Sequence, residues 1–330
     1  LNGGNSAPGG DNRTSPAAWV ALADEFWLAS TDKTGGRTGI PALWGTDAVH
    51  GHNNIVGATI FPHNIGLGAA NNANLMYQIG TVTAKELLAT GLDWTFAPTI
   101  AVVRDDRWGR TYESYSEDPA IVREYAGYLV EGIQGKLSDN TFLDEDHLIA
   151  TAKHFIGDGG TIDGRDQGDN ISSEEDLRDI QGAGYPVAIN RGVQSVMASF
   201  NSWHGRKMHD YKELLDDVLV DQMGFDGFVI GDWNGHGQVE GCTNVSCASS
   251  FNNGLDMFMA PDSWRGLYLN TLAQVESGEI SMARLDQAIG RILRVKIRAG
   301  LFEAGLPSER KYAGRFDLLA APEHRALARK

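Results

Sequence analysis

Phe225-Asp226-Gly227-Phe228-Val229-Ile230-Gly231-Asp232-Trp233 decides the fold class, because a short apolar run framed by glycines ends abruptly in a carboxylate beside a large aromatic ring. Phe228, Val229 and Ile230 read as a strand buried on both faces, the pattern of a parallel sheet covered by helices. Asp232 then stands at the C-terminal end of that strand, where α/β sheets, open or closed, bind their ligands. An aspartate there also serves to cap a following helix. Position alone leaves the two roles even; Trp233 and the remaining strands decide between them.

The rest of the chain repeats the alternation. Ala17–Leu28 has helical spacing, and Ile40-Pro41-Ala42-Leu43-Trp44-Gly45-Thr46 reads as a strand delivering Asp47. A polar loop carries His50, His52 and Asn53, and Ala58–Pro62 reads as a further short strand. Asn74–Ala89 predicts a helix stopped by Gly91, and Trp94–Ala97 a strand stopped by Pro98. Ser116 caps a helix with Glu117, Asp118 and Pro119 in its first turn and Gly135 at its end. Leu148–Ala152 is a strand ending in Lys153 and His154. Ser172 and Glu175 have capping-box spacing, Ser195–Phe200 is a strand, and Leu214–Met223 a helix closed by Gly224. Beyond Asp232 come a strand at Gly254–Ala260, a helix at Trp264–Val275, and an amphipathic helix opened by Ser281. Its predicted apolar face is Met282, Leu285, Ile289, Ile292 and the stem of Lys296.

So many strand–helix alternations predict an α/β chain, a (β/α)8-like (TIM) barrel, with a doubly wound open sheet as the alternative. No G-x-G-x-x-G turn follows an early strand, which counts against a dinucleotide fold. Gly157-Asp158-Gly159-Gly160 lacks the Gly-Lys-Ser/Thr ending of a phosphate loop.

At 330 residues the chain fits one barrel with insertions. A formal charge of −15 argues against nucleic acid or an anionic membrane as partner and is indifferent to a neutral ligand. No apolar run approaches the ~20 residues of a membrane span. Cys242 and Cys247 share one polar loop, a geometry suited to a local disulfide and an oxidising compartment. Leu1–Thr14 has neither a starting Met nor a signal pattern, so the expectation is a chain trimmed at its start.

Under the barrel reading the strand ends bring together Asp47, Lys153 with His154, Asn201 with Trp203, Asp232 with Trp233, and Met259 near Asp262. The loop Arg104-Asp105-Asp106-Arg107-Trp108-Gly109-Arg110 joins them. Carboxylates, cations and aromatic rings without a metal cluster suit a sugar, whose hydroxyls need paired donors and acceptors and whose apolar face stacks on a ring. An isolated Asp among cations can attack an anomeric carbon.

Six ordered segments carry a more specific signal: Gly45-Thr46-Asp47-Ala48-Val49-His50-Gly51, Ala58-Thr59-Ile60-Phe61-Pro62-His63-Asn64, Arg104 to Arg110, Tyr112-Glu113-Ser114-Tyr115-Ser116-Glu117-Asp118, Lys153-His154-Phe155-Ile156-Gly157-Asp158-Gly159-Gly160 and Gly231-Asp232-Trp233. The set resembles family 3 glycoside hydrolases, and within them the exo-acting β-glucan glucohydrolases and β-glucosidases. The resemblance implies a (β/α)8-like N-terminal domain over residues 1–315, incomplete at its N-terminus, and retaining release of glucose from non-reducing ends without cofactor or metal. It implies Asp232 as nucleophile, and Asp47, Arg110, Lys153, His154 and Trp233 around the glucosyl unit. Ser199-Phe200-Asn201-Ser202-Trp203 departs from the subgroup: Phe200 stands at a substrate-binding position often held by Tyr, so a hydroxyl contact is lost. The acid/base Glu of this branch comes from a following α/β sandwich domain, to which residues 316–330 resemble the lead-in; that domain is the expected partner, besides a β-glucan or β-glucoside. The implied location is secreted or periplasmic.

Other readings fit less well. The N-acetylglucosaminidase branch uses an Asp-His pair on the loop that here reads Thr161-Ile162-Asp163-Gly164-Arg165-Asp166-Gln167, without an imidazole to protonate a leaving group. His50, His52 and His63 lack zinc-type spacing. Lys153 as a Schiff-base lysine would make an aldolase, but beside His154 it reads as charged and hydrogen-bonded. Glu113 and Glu117 read as structural acids, and Glu174, Glu175 and Glu240 as spare candidates for a local acid. A non-catalytic carbohydrate-binding scaffold is the non-enzyme reading, against which an intact Asp232 argues.

Overall fold

The computed structural model describes residues 7–330. Among the described residues eight short strands occur in chain order: β1 (Gly45–Thr46), β2 (Trp94–Thr95), β3 (Thr151–Phe155), β4 (Asp169–Asn170), β5 (Ser195–Ala198), β6 (Ser202–Trp203), β7 (Arg206–Lys207) and β8 (Phe228–Ile230). Helices fall between them, and the chain divides into two compact units. One comprises the described residues to Pro98, Gly127–Thr151 and Lys296–Lys330; the other Thr99–Ala126 and Ala152–Val295.

In the first unit β1 pairs parallel with β2, Gly45 opposite Trp94 and Thr46 opposite Thr95, and Trp94 bridges to Ile149 in the same sense. Gly45 is dictated by crowding: a Cβ there would lie 2.9 Å from the Trp94 ring. Trp19 stacks on Trp44 at 5.6 Å beneath the helix Pro16–Thr31, and both rings are buried. The helix Ala73–Ala89 starts from Asn72, whose side chain accepts the Leu75 N–H. It carries Glu86, a buried carboxylate that accepts from the Thr59 N–H and hydroxyl and from the Ala320 N–H, and faces His324 Nδ1 at 2.8 Å. His324 lies on the helix Pro322–Ala328.

In the second unit β3, β5 and β8 are neighbours in that order, with Ser195, Val196 and Met197 opposite Phe228, Val229 and Ile230 in parallel register. Parallel bridges Thr99 to Lys153 and Ile230 to Met257 extend the ladder on either side. β8 is buried throughout, as a strand covered on both faces must be. Because β5 and β8 are parallel, their C-terminal ends point the same way, and the Ser199 N–H just past β5 donates to Phe155 O at the end of β3. A second small sheet, β4-β6-β7, joins a strand from before β5 to two from just after it; β4 and β6 are parallel, β6 and β7 antiparallel. Cys242 and Cys247 form a disulfide with Cα atoms 4.8 Å apart.

Several local expectations shift. Ala58–Pro62 is irregular, because the Thr59 N–H is taken by Glu86 and Pro62 has none to give. The helix Pro119–Gln134 begins after Asp118, whose carboxylate accepts the Ala120 N–H; Ser116 instead accepts from Asp118 N–H. Ser173, not Ser172, caps the next helix by accepting the Asp176 N–H. On Met282–Arg298 the buried residues are Ala288, Arg291 and Val295, while Met282 and Ile289 are exposed. Arg284 and Arg291 reach Asp256, which also accepts the Val229 N–H and so fastens the helix to β8.

Candidate active site

At the end of β3, Lys153 and His154 are both buried. His154 Nδ1 lies 2.8 Å from Asp158 Oδ2 and Nε2 lies 2.8 Å from an Arg110 Nη2. A guanidinium can only donate, so Nε2 accepts and the ring proton sits on Nδ1, donated to Asp158. Burial, with the Arg110 and Lys153 charges adding to it, holds the imidazole well below its ordinary pKa, and the ring is neutral. Burial pushes Asp158 up to about 7 against the pull of Arg110.

Arg110 reaches this point because Glu113, one helical turn on, grips its Nε and Nη2 at 2.8 and 3.0 Å. Thr99 Oγ1 donates to the same carboxylate. Burial works to raise the Glu113 carboxyl, and the Arg110 guanidinium outweighs it, leaving Glu113 below its usual range. Of the basic loop before it, Arg107 turns to Asp105 and Asp163, and Trp108 is buried with its indole N–H on Asp166. Arg104 donates to the Glu117 carbonyl, Arg107 is salt-bridged, and Arg110 turns to His154.

Asp232 follows β8 by two residues and is buried. Its Oδ2 lies 3.7 Å from His154 Nε2, and its Oδ1 accepts the Trp233 N–H at 2.7 Å. The Asp232 N–H donates to His209 Nε2 at 2.8 Å. Trp233 is 42% exposed. Phe200, just past β5, lies 6.1 Å from the His209 ring. The second unit thus gathers Arg110, Lys153, His154, Phe200, Asp232 and Trp233: a carboxylate beside a guanidinium, a neutral imidazole and an exposed indole.

Asp47 belongs to the first unit, one residue past β1, with its backbone carbonyl accepting from Asn54. His50 donates to the Phe61 carbonyl and His52 is paired with Thr90. Glu174, Glu175 and Glu240 are exposed. A cavity in the first unit, lined among others by Asp93, His147 and Arg310, opens at the N-terminal end of β2 and holds none of the expected site residues. Glu113, Asp158 and His209 complete the site. Glu113 reads from sequence as a structural acid, Asp158 as part of a failed phosphate loop, and His209 carries no local signal.

The chain is 56% identical to the exo-1,3/1,4-beta-glucanase of a Pseudoalteromonas species, with a TM-score of 0.97 over all of this chain and 41% of that one. It is 31% identical over 274 residues to a periplasmic beta-glucosidase of Salmonella typhimurium and 30% identical over 280 residues to a lysosomal beta glucosidase of Dictyostelium discoideum. These alignments take in 81% and 82% of this chain, and in both cases 34% of the relative's length. The fold is the (β/α)8-like barrel of those neighbours. With residues 8–295 matching the model described as the glycosyl hydrolase family 3 N terminal domain, the chain belongs to glycosyl hydrolase family 3.

Proposed function

We propose that this chain carries the glucosyl-binding site and the nucleophile of a retaining, exo-acting β-glucosidase or β-glucan glucohydrolase. The observation that carries the reading is the placement of the Asp232 carboxylate, with Oδ2 3.7 Å from a neutral His154 that is itself bonded to Arg110. A carboxylate so placed can attack an anomeric carbon, while Arg110 and Lys153 supply donors to sugar hydroxyls. Trp233 supplies an apolar wall for the ring face.

In the first step Asp232 bonds to the anomeric carbon as the bond to the aglycone oxygen breaks, and that oxygen takes a proton from a general acid. In the second, water attacks the same carbon, gives its proton back to that base, and Asp232 departs as a carboxylate. The acid/base is assigned to a glutamate of a further domain. Glucose rather than N-acetylglucosamine is favoured because the Thr161–Gln167 loop offers no imidazole and is tied down by the Asp166–Trp108 bond. An extracytoplasmic location is supported by the disulfide and by relatives named periplasmic and lysosomal.

Intact-mass spectrometry after incubation with an activated 2-deoxy-2-fluoro-β-glucoside tests the reading. One fluoroglucosyl adduct is expected on the protein and none on Asp232→Ala. A label on another carboxylate, or equal labelling of both proteins, refutes it.

A further inference from the structure

His209 is fully buried on the short helical turn Met208–Asp210, so it touches no sugar. Its ring nevertheless lies against the chain that carries Asp232. The Asp232 N–H donates to Nε2 at 2.8 Å, and the glycines around it leave room for the ring and nothing else. A Cβ at Gly235 would lie 2.3 Å from the imidazole, and one at Gly231 3.3 Å. The chain folds round this ring as a tight turn: Gly235 N–H donates to Asp232 O, Trp233 N–H to Asp232 Oδ1, and Asn234 N–H to Met259 O. The rotation of the carboxylate is therefore set by the Trp233 amide, and the placement of the turn by the imidazole on the Asp232 amide. His209 is itself fixed from behind. Met208 N–H donates to Asn201 O, and Asp210 Oδ1 accepts from Ser249 Oγ at 2.6 Å and Asn253 Nδ2 at 2.8 Å.

We infer that His209 is a positioning residue for Asp232, holding the nucleophile's backbone amide through an unprotonated Nε2; the inference rests on the role proposed above for Asp232. An amide can only donate, so the bond exists only while the ring is neutral with its proton on Nδ1. Burial, with the His236 and Lys207 charges adding to it, pushes the ring down to about 3. His209 and His154 also act on each other electrostatically. A histidine kept for packing alone would need no free Nε2.

Two variants of the full chain separate the roles. Gln places a carbonyl oxygen near the position of Nε2, and Met fills the same space with no comparable acceptor. The rate of Asp232 labelling by the fluoroglucoside is expected to fall on the order of 10–100-fold in His209→Met. Glucose affinity should stay within about threefold, and His209→Gln should recover most of the rate. Equal losses in Gln and Met, or labelling of the Met variant at the wild-type rate, overturn the inference. Nitrogen-15 NMR of the ring decides it independently of any labelling: Nε2 unprotonated down to about pH 4 is expected, with the signal identified by its loss in the variants. A proton on Nε2 at neutral pH overturns it even if Asp232 is labelled. No labelling of wild type with the expected NMR signature counts against the proposed function and leaves the His209 contact standing.

Discussion

Glu113 decides what Arg110 can do. A guanidinium gripped at two nitrogens by one carboxylate keeps a single orientation, and the Nη2 so fixed also reaches His154. Glu113→Ala removes the grip and leaves a mostly buried cation beside a neutral imidazole, a loss expected to cost about 3 kcal/mol of stability and to weaken glucose binding at least tenfold. Urea unfolding and titration calorimetry check the two effects; a variant that loses stability but binds glucose normally would show the pair to be structural only. At this scale Asp232 and His154 stand at strands whose apolar runs can be read in sequence, whereas Arg110 lies in a loop and is marked only by the motif that carries it. Glu113, Asp158 and His209 are not legible there. Their roles arise from partners that only the fold brings near, such as the Asp232 amide 23 residues beyond His209.

The helix Met282–Arg298 shows what periodicity does and does not tell. Its apolar spacing predicts the element and its start correctly, but the buried face is turned from the expected one because two cations, Arg284 and Arg291, are drawn to the buried carboxylate of Asp256. The helix is rotated by that ion-pair anchor, and Met282 is left 58% exposed while Val295 is fully buried. Val295→Ala is therefore expected to cost about 2 kcal/mol, and Met282→Ala to stay within about 0.5 kcal/mol, as read from denaturant midpoints at constant slope. The reverse order would restore the face expected from spacing. Ala58–Pro62 fails for a related reason. Its composition suits a strand, yet Glu86, 27 residues on, captures the Thr59 amide that a ladder would need.

For the molecule as a whole, the α/β class follows from alternation that no single substitution would disguise, whereas its response to acid rests on buried imidazoles that sequence does not reveal as buried. His52 is fully buried, edge-on to Trp19 and paired with Thr90 Oγ1 at 2.9 Å. Burial pushes it down to about 4, against an upward pull from Glu86. Unfolded, it returns to ~6.5, so between these values the unfolded chain binds the extra proton. A folded pKa below the unfolded one means that the contribution is whole above about pH 6.5 and is lost as pH falls toward 4. At pH 4.5 wild type should have lost about 2.5 kcal/mol through this group alone. Asp158, with its folded pKa raised to about 7, acts in the opposite sense: its contribution is present below ~3.8 and lost as pH rises through 7. Comparing wild type with His52→Gln cancels that opposing group. The variant gives up a buried hydrogen bond and should be less stable at pH 7.5 by about 1–2 kcal/mol, yet it has no imidazole to protonate. Its deficit must shrink on acidification and reverse sign near pH 5, so unfolding free energies of the two proteins plotted against pH should cross. Parallel curves would mean that His52 is reached by protons in the folded protein as readily as in the unfolded one, and that its burial against Trp19 does not persist in solution.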